Sequence, residues 1–409
     1  MRILHTSDWH LGHTLHDLPR EHEHRRFLAW LLDTIEEREV DALLVAGDVF
    51  DNANPSAAAQ RTWYRFVGEA RRRFPALDLV VIGGNHDSAD RLDAPDPLYV
   101  GFDVRVVGGL VRGEGRRIDL ERLIVPLRDR DGRVAAWVAA VPFLRPSDLV
   151  QDEGLIEGVR AVYAEVIEAV RERRTPEQAI LAMGHLYMAG TELSELSERK
   201  ILLGNQHALP VDIFPDDVAY AALGHLHKPQ RVGRDHVRYS GSPIPLSMGE
   251  RTYRHQVCLV ELDGAGLRAI ESIPVPRSVE LLRVPLQGAL PPDELVRALR
   301  ALPDRADEEP WELPFLEVEA LLAEPDPGLP TKVEEALEGK AARLVRLGRT
   351  RVGDGASLAE AEPERTLDEL LPEEVFARCY EREYGAPPPD DLAAAFHELV
   401  DSVHQEKGR

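Results

Sequence analysis

Two cysteines in 409 residues, Cys258 and Cys379, are too few for a disulfide framework. They fit a chain kept in a reducing compartment, with both thiols packed among apolar neighbours. No apolar run reaches the ~18 residues that a membrane-spanning helix needs, so no membrane association is expected. Met1-Arg2-Ile3-Leu4 passes directly into His5, Asp8 and His10. It lacks the apolar stretch of a signal peptide, which points to the cytoplasm. Basic residues are also in deficit, with 49 Lys and Arg against 72 Asp and Glu and a formal net charge of −23. A chain this acidic is not a passive polyanion-binding surface. The excess is denser after residue 275, which leaves room for local basic patches nearer the start. Arg71-Arg72-Arg73 and Arg116-Arg117 are read as solvated helix or loop faces.

Hydrophobic residues make up 44% of the chain, enough for a large core and against wholesale disorder. The length allows two or three domains of ~100–200 residues. Up to residue 275, strand-length apolar runs alternate with amphipathic helical stretches. Strands are expected at 2–6, 42–46, 79–82, 123–126, 134–141, 180–183, 219–223 and 257–262, the last closing the region. Helices are expected at 23–38, 55–74 and 155–173. In the first helix Phe27, Trp30, Leu31 and Ile35 share a face. This alternation, with a hairpin around Asp131-Gly132, indicates a layered α/β sandwich.

A break near Ile273-Pro274-Val275-Pro276 precedes a βαβαβ pattern. Its strands are expected at 279–285, 315–321 and 342–347, its helices at 292–302 and 331–339. A linker-like stretch follows, then two helical segments with apolar stripes, Leu370, Leu371, Val375, Phe376, Tyr380 and Leu392, Phe396, Leu399, Val403, split by Pro387-Pro388-Pro389. Such stripes need something to bury them. The expected organisation is an α/β sandwich over 1–275, a small second α+β domain over 276–350, a linker over 351–365 and a helical pair over 366–409 whose stripes are buried on their own domain or on a partner protein.

Five short motifs stand at strand ends: Asp8-Trp9-His10, Gly47-Asp48, Gly83-Gly84-Asn85-His86-Asp87, Gly184-His185 and Gly224-His225-Leu226-His227. Loops at the carboxyl ends of strands are where α/β sheets carry their sites. Asp8, His10, Asp48, Asn85, His185, His225 and His227 supply mixed oxygen and imidazole donors. Their number suits two divalent metals if Asp48 bridges both. Such a set favours Mn²⁺, Fe²⁺ or Zn²⁺ over an all-oxygen cation site. Two metals about 3.5–4 Å apart can bind a phosphate and activate a water for in-line attack. His86 is expected to face the substrate as general acid rather than bind metal, with Asp87 orienting it.

In order, these motifs match the calcineurin-like phosphoesterase superfamily. Ser7-Asp8-Trp9-His10-Leu11-Gly12, Ala46-Gly47-Asp48-Val49-Phe50-Asp51, the run Gly184-His185-Leu186-Tyr187-Met188-Ala189-Gly190 and the run Tyr239-Ser240-Gly241-Ser242-Pro243-Ile244-Pro245 narrow the likeness. With the domain order, the whole chain resembles the SbcD family of nuclease subunits. The resemblance implies a four-layer metallophosphoesterase sandwich flanked by helices, the small cap and the terminal helical pair. It assigns Asp8, His10, Asp48 and His227 to one metal, and Asp48, Asn85, His185 and His225 to the other. The metal would be Mn²⁺ and His86 the catalytic histidine. It further implies 3′-to-5′ exonuclease action on double-stranded DNA ends and endonuclease action on hairpins and single strands. The partner would be SbcC, a coiled-coil ATPase gripped by the terminal helices, with the chain as a homodimer within a heterotetramer. The cap would guide DNA to the cleft. No role is read for Asp51. The Arg and Glu that protein Ser/Thr phosphatases carry after Gly-Asp and Asn-His are missing here, where Asp51-Asn52-Ala53-Asn54 and Asp87 stand instead. A phosphodiesterase for small phosphoesters is the alternative enzyme. A metal-poor scaffold is disfavoured by the complete donor set.

Overall fold

The computed structural model describes residues 1–113, 115, 117–149, 154–192 and 208–351, with the isolated positions Phe376, Tyr380, Pro389, Leu392 and Phe396. The linker over 351–365 and the terminal helical pair fall almost wholly outside these residues. Met1–Ala320 and Pro327–Gly348 form one compact unit.

Two six-stranded sheets face each other. The first runs Gly266–Pro274, Gln256–Asp263, Arg2–Thr6, Ala42–Ala46, Asp78–Ile82, Val104–Val107. Its last four strands are parallel, while Gln256–Asp263 pairs antiparallel with both of its neighbours. The second runs Gln230–Val232, Arg234–Tyr239, Val218–Gly224, Ala179–His185, Val134–Ala140, Ile124–Arg128, parallel in the middle and antiparallel at both rims.

Strand alternation divides the core. Ala42, Leu44 and Ala46 point into the layer shared with the second sheet, among Ile3, Val80 and Ile82. Leu43 and Val45 point the other way, into a layer with Phe27, Leu31 and Ile35 of the helix Glu21–Glu37 and Trp63 and Phe66 of the helix Ala57–Arg73. The helix Leu155–Arg173 buries Val159, Val162, Val166 and Val170 with the second-sheet residues. The result is the expected order of helix, sheet, sheet, helix. Ser56 caps Ala57–Arg73 by accepting the Ala59 N–H at 3.2 Å, so the helix starts two residues after Pro55.

The small α+β module has strands Leu281–Val284, Phe315–Leu322 and Arg343–Arg351 and helices Pro292–Arg300 and Leu329–Leu337, close to the expected βαβαβ. Four strands of the two large sheets escaped the sequence reading, besides the two-residue pair Thr14–Leu15 and Leu18–Pro19: Val104–Val107, Gln230–Val232, Arg234–Tyr239 and Gly266–Pro274. The last replaces 257–262 as the close of the region. It is an edge strand, mostly exposed, so it needs no continuous apolar run. Among the described residues no helix is long and apolar enough to cross a membrane.

Candidate metal centre

All five motifs converge at one end of the sandwich. The loop after Arg2–Thr6 is laced to the loop after Ala42–Ala46 by main-chain bonds: Asp8 N–H to the Gly47 carbonyl at 3.0 Å, His10 N–H to Asp48 at 3.0 Å and Leu11 N–H to Val49 at 2.9 Å. Trp9 explains why Asp8 and His10 face the same way. Its ring is buried among Phe27, Trp63 and Phe66 at centroid distances of 5.2–5.8 Å, which turns its two neighbours to the opposite side. Asp8, His10, Asp48 and His225 have positive φ angles of 54°, 47°, 51° and 101°.

Asp48 lies at the centre, 2% exposed. Its Oδ2 is 3.4 Å from His10 Nε2 and 3.4 Å from His185 Nε2, while Oδ1 accepts the His86 N–H at 2.9 Å. On one side, donor atoms of Asp8, His10 and His227 lie within 4.8 Å of one another, as do those of Asp8, Asp48 and His185. On the other, Asn85 Oδ1 is 2.9 Å from both His185 Nε2 and His225 Nδ1. Glycine is required beside Asp48: a Cβ on Gly84 would stand 2.1 Å from Asp48 Oδ1, and one on Gly224 1.9 Å from the Ala46 carbonyl oxygen.

The histidines are oriented from behind. His185 Nδ1 meets the Ala46 carbonyl at 2.9 Å, and His227 Nδ1 meets Glu250 at 2.9 Å. His10 Nδ1 is 3.3 Å from Asp51, which also takes His13 Nδ1 at 3.0 Å. A ring that donates Nδ1–H backwards presents the Nε2 lone pair forwards. Ser7 donates to Asp8 Oδ2 at 2.5 Å, and Asp8 Oδ1 accepts the His225 N–H at 2.9 Å.

Burial and charge oppose each other here. Burial works against a charged His185, yet Asp48 and Asp8 raise it to about 9. Burial would also raise Asp48, but His185 and His10 hold it well below the usual carboxylate range. His225, desolvated and near His185, falls to about 3. Buried Asp87, next to Asp48, rises to about 6. Two buried ring nitrogens in the cluster, His10 Nε2 and His225 Nε2, have no hydrogen-bond partner. Cis donors around an octahedral ion at about 2.1 Å stand about 3 Å apart, which the 2.9 Å and 3.4 Å separations match. The residues present fit divalent metal.

The structure brings all seven expected donors and His86 together. It corrects the role read for Asp87, whose carboxylate accepts the main-chain N–H groups of Val49, Phe50 and Gly84 at 2.9–3.1 Å and so braces the loops. His86 is held instead by the Asp51 carbonyl, 2.7 Å from Nδ1. His86 also forms a donor triplet with His10 and Asp48 within 4.8 Å. Asp51, given no role from sequence, and Glu250, unnoticed, both orient donors. Neither has a spacing signal: Glu250 is 23 positions from His227. Arg71, Arg72 and Arg73 are engaged by Leu77 and Pro75 carbonyls, Glu69, and Asp33 with Glu36, as expected of a solvated face. Arg116 lies outside the described residues.

Residues 1–229 match the family model of calcineurin-like phosphoesterases. Residues 277–384 match a model described as the type 5 capsule protein repressor C-terminal domain. A curated relative, the SbcD subunit of nuclease SbcCD from Rhodobacter capsulatus, is 43% identical over 93% of this chain and 94% of its own length. The protein of the same name from Escherichia coli K12 is 34% identical over 92% of each chain. That from Bacillus subtilis 168 is 33% identical over 64% of this chain and 66% of its own.

Proposed function

Since the chain belongs to the SbcD family of calcineurin-like phosphoesterases, a family of metal-dependent nucleases, we propose that its cluster is a two-metal site for cleaving DNA phosphodiester bonds. Asp8, His10, Asp48 and His227 would hold one metal, and Asp48, Asn85, His185 and His225 the other. The observation that carries this reading is Asp48 Oδ2, equidistant at 3.4 Å from His10 Nε2 and His185 Nε2. One oxygen so placed can serve both ions. Mn²⁺ suits the mixed imidazole and carboxylate donors.

When bound, divalent ions supply a lowered pKa for water and charge stabilisation on phosphoryl oxygens. The protein supplies the rest. The Asp51 carbonyl accepts His86 Nδ1–H and turns Nε2 toward the cleft; in the imidazolium form the ring carries a second proton, on Nε2, and gives it to the departing oxygen. Asp87 ties the Asp48 and Asn85 loops to each other through the main chain and keeps the donors in register.

The substrates proposed are double-stranded ends, cut 3′ to 5′, and hairpins and single strands, cut internally. The partner is an SbcC-type ATPase engaging residues 366–409, and the setting is the cytoplasm. With an acidic chain, the partner would supply much of the DNA-binding charge. A homodimer is proposed, its face drawn from exposed Tyr64, Leu98, Val100 and Phe102. Residues 276–350 act as the cap that guides DNA.

The test incubates the chain, with and without Mn²⁺, with end-labelled duplex DNA, a hairpin and bis(p-nitrophenyl) phosphate, with Asp48→Ala as control. Mn²⁺-dependent DNA cleavage lost in the variant is expected. Diester turnover without DNA cleavage, even with SbcC and ATP added, would instead assign small phosphoesters.

A further inference from the structure

Glu250 lies on a single turn of 3₁₀ helix, Met248–Thr252, and is fully buried. A buried carboxylate must be satisfied on both oxygens. One oxygen meets His227 Nδ1 at 2.9 Å, and the other accepts the Leu246 N–H at 2.7 Å. Glu250 therefore joins a metal-facing histidine to the segment Pro245–Tyr253.

That segment is gripped from outside by the small α+β module. Met248 packs in one apolar cluster with Leu15, Val279, Leu281 and Phe315. The Pro245 carbonyl accepts Arg20 Nη1 at 2.7 Å. Arg20 is itself buried, paired with Glu23, and lies over the Phe315 ring at 5.1 Å. Phe315 opens the central strand of the module, and Arg343 from the next strand lies over the same ring at 4.1 Å. Beyond Glu250, Arg277 donates to the Arg251 and Tyr253 carbonyls at 2.8 and 3.2 Å. The module thus holds the segment directly at Met248 and after Glu250, and before it through Arg20 stacked on Phe315, and nothing in the proposed metal chemistry uses these contacts.

We propose that Glu250 is a positioning residue through which the seating of the small module on Phe315 sets the metal affinity of the His227 site. The inference rests on the two-metal reading above. A tilt of the module moves Met248 and Pro245, the turn follows, and the Glu250 carboxylate leaves the line of His227 Nδ1–H. The imidazole then loses its fixed tautomer and orientation. Partners of this kind typically change metal affinity by about 10–100-fold when removed.

The experiment titrates Mn²⁺ into the full-length chain, reading free Mn²⁺ by electron paramagnetic resonance, for wild type, Glu250→Gln, Glu250→Ala, Phe315→Leu and the double variant Glu250→Ala/Phe315→Leu. Circular dichroism checks that each is folded. Two sites in wild type are the premise; fewer than two would sink the metal reading itself, separately from this proposal. With two sites, Glu250→Ala is expected to weaken one by about 10–100-fold and spare the other. Glu250→Gln, which keeps an acceptor oxygen, should restore part of the loss. Phe315→Leu, which replaces no donor, should weaken the same site several-fold, and the double variant should bind no worse than Glu250→Ala alone. Additive losses would show that the module does not act through Glu250. Unchanged affinity in Glu250→Ala with only a lowered melting temperature would reduce the residue to a structural one and overturn the proposal.

Discussion

The Asp51 main-chain carbonyl, 2.7 Å from His86 Nδ1, holds the one histidine of the cluster proposed to touch substrate rather than metal. A main-chain acceptor cannot be lost by changing the Asp51 side chain, so the orientation of His86 is guarded separately from that of His10. Asp51→Ala should therefore weaken His10 and His13 positioning while leaving the tautomer of His86 intact.

For His86 itself, replacement by alanine should keep both metals and lower cleavage about 10²–10⁴-fold, the usual size of a general-acid contribution. Metal content by plasma mass spectrometry, beside turnover of labelled DNA, checks this. Loss of a metal from His86→Ala would make His86 a ligand, as its triplet with His10 and Asp48 allows.

Gly84→Ala is the sharpest steric test. The new methyl would overlap Asp48 Oδ1 at 2.1 Å and the Asp48 nitrogen at 2.4 Å, both in the centre of the site. Metal binding and cleavage should fall to background with no donor replaced. Gly68→Ala is the control: nothing lies within 4 Å of its Cβ, and a helical glycine changed to alanine should gain roughly 0.5–1 kcal/mol. An active Gly84→Ala enzyme with full metal content would contradict the packing described.

His5 predicts an acid-side instability. Burial between the sheets pulls its pKa down to about 3, despite a main-chain contact to Leu223. The folded state keeps it neutral while the unfolded chain takes up a proton near pH ~6.5. Its contribution is thus complete above pH ~6.5 and lost as the pH falls toward about 3. Between pH ~6.5 and ~4.5 that amounts to about 2 kcal/mol. Urea denaturation with a chelator present should show a steeper pH slope for wild type than for His5→Gln; equal slopes would refute the assignment.

Deleting residues 366–409 should abolish binding to an SbcC-type ATPase while leaving Mn²⁺-dependent hydrolysis of bis(p-nitrophenyl) phosphate unchanged. A pull-down with the purified partner decides it, and retained binding would move the docking surface elsewhere.

The donors were legible in the sequence because strand ends carry their own signature: glycine, a short polar ligand, and an apolar strand before it. Arg2–Thr6 and Ala42–Ala46 read correctly to the residue for the same reason, being buried on both faces. What stayed hidden depends on chain segments far apart. Glu250 and Asp51 act through contacts that no local period encodes, and Asp87 sits beside His86 yet turns its carboxylate toward Val49, Phe50 and Gly84. Gly266–Pro274 was missed because an edge strand owes its place to pairing with Gln256–Asp263 rather than to its own apolar content.

The positive φ angles of Asp8, His10, Asp48 and His225 have an evolutionary consequence. An L-residue held there costs roughly 1 kcal/mol, less for Asp, Asn and His than for bulkier side chains. The catalytic loops therefore sit in tension with the rest of the fold, and bound metal relieves it only by favouring the folded state. Amide exchange at residues 8–10 and 47–48 should accordingly slow on adding Mn²⁺ more than in the sheet interiors. A selection for heat resistance alone, run on this chain without metal, would drift toward glycine at such positions and erase the enzyme while preserving the sandwich.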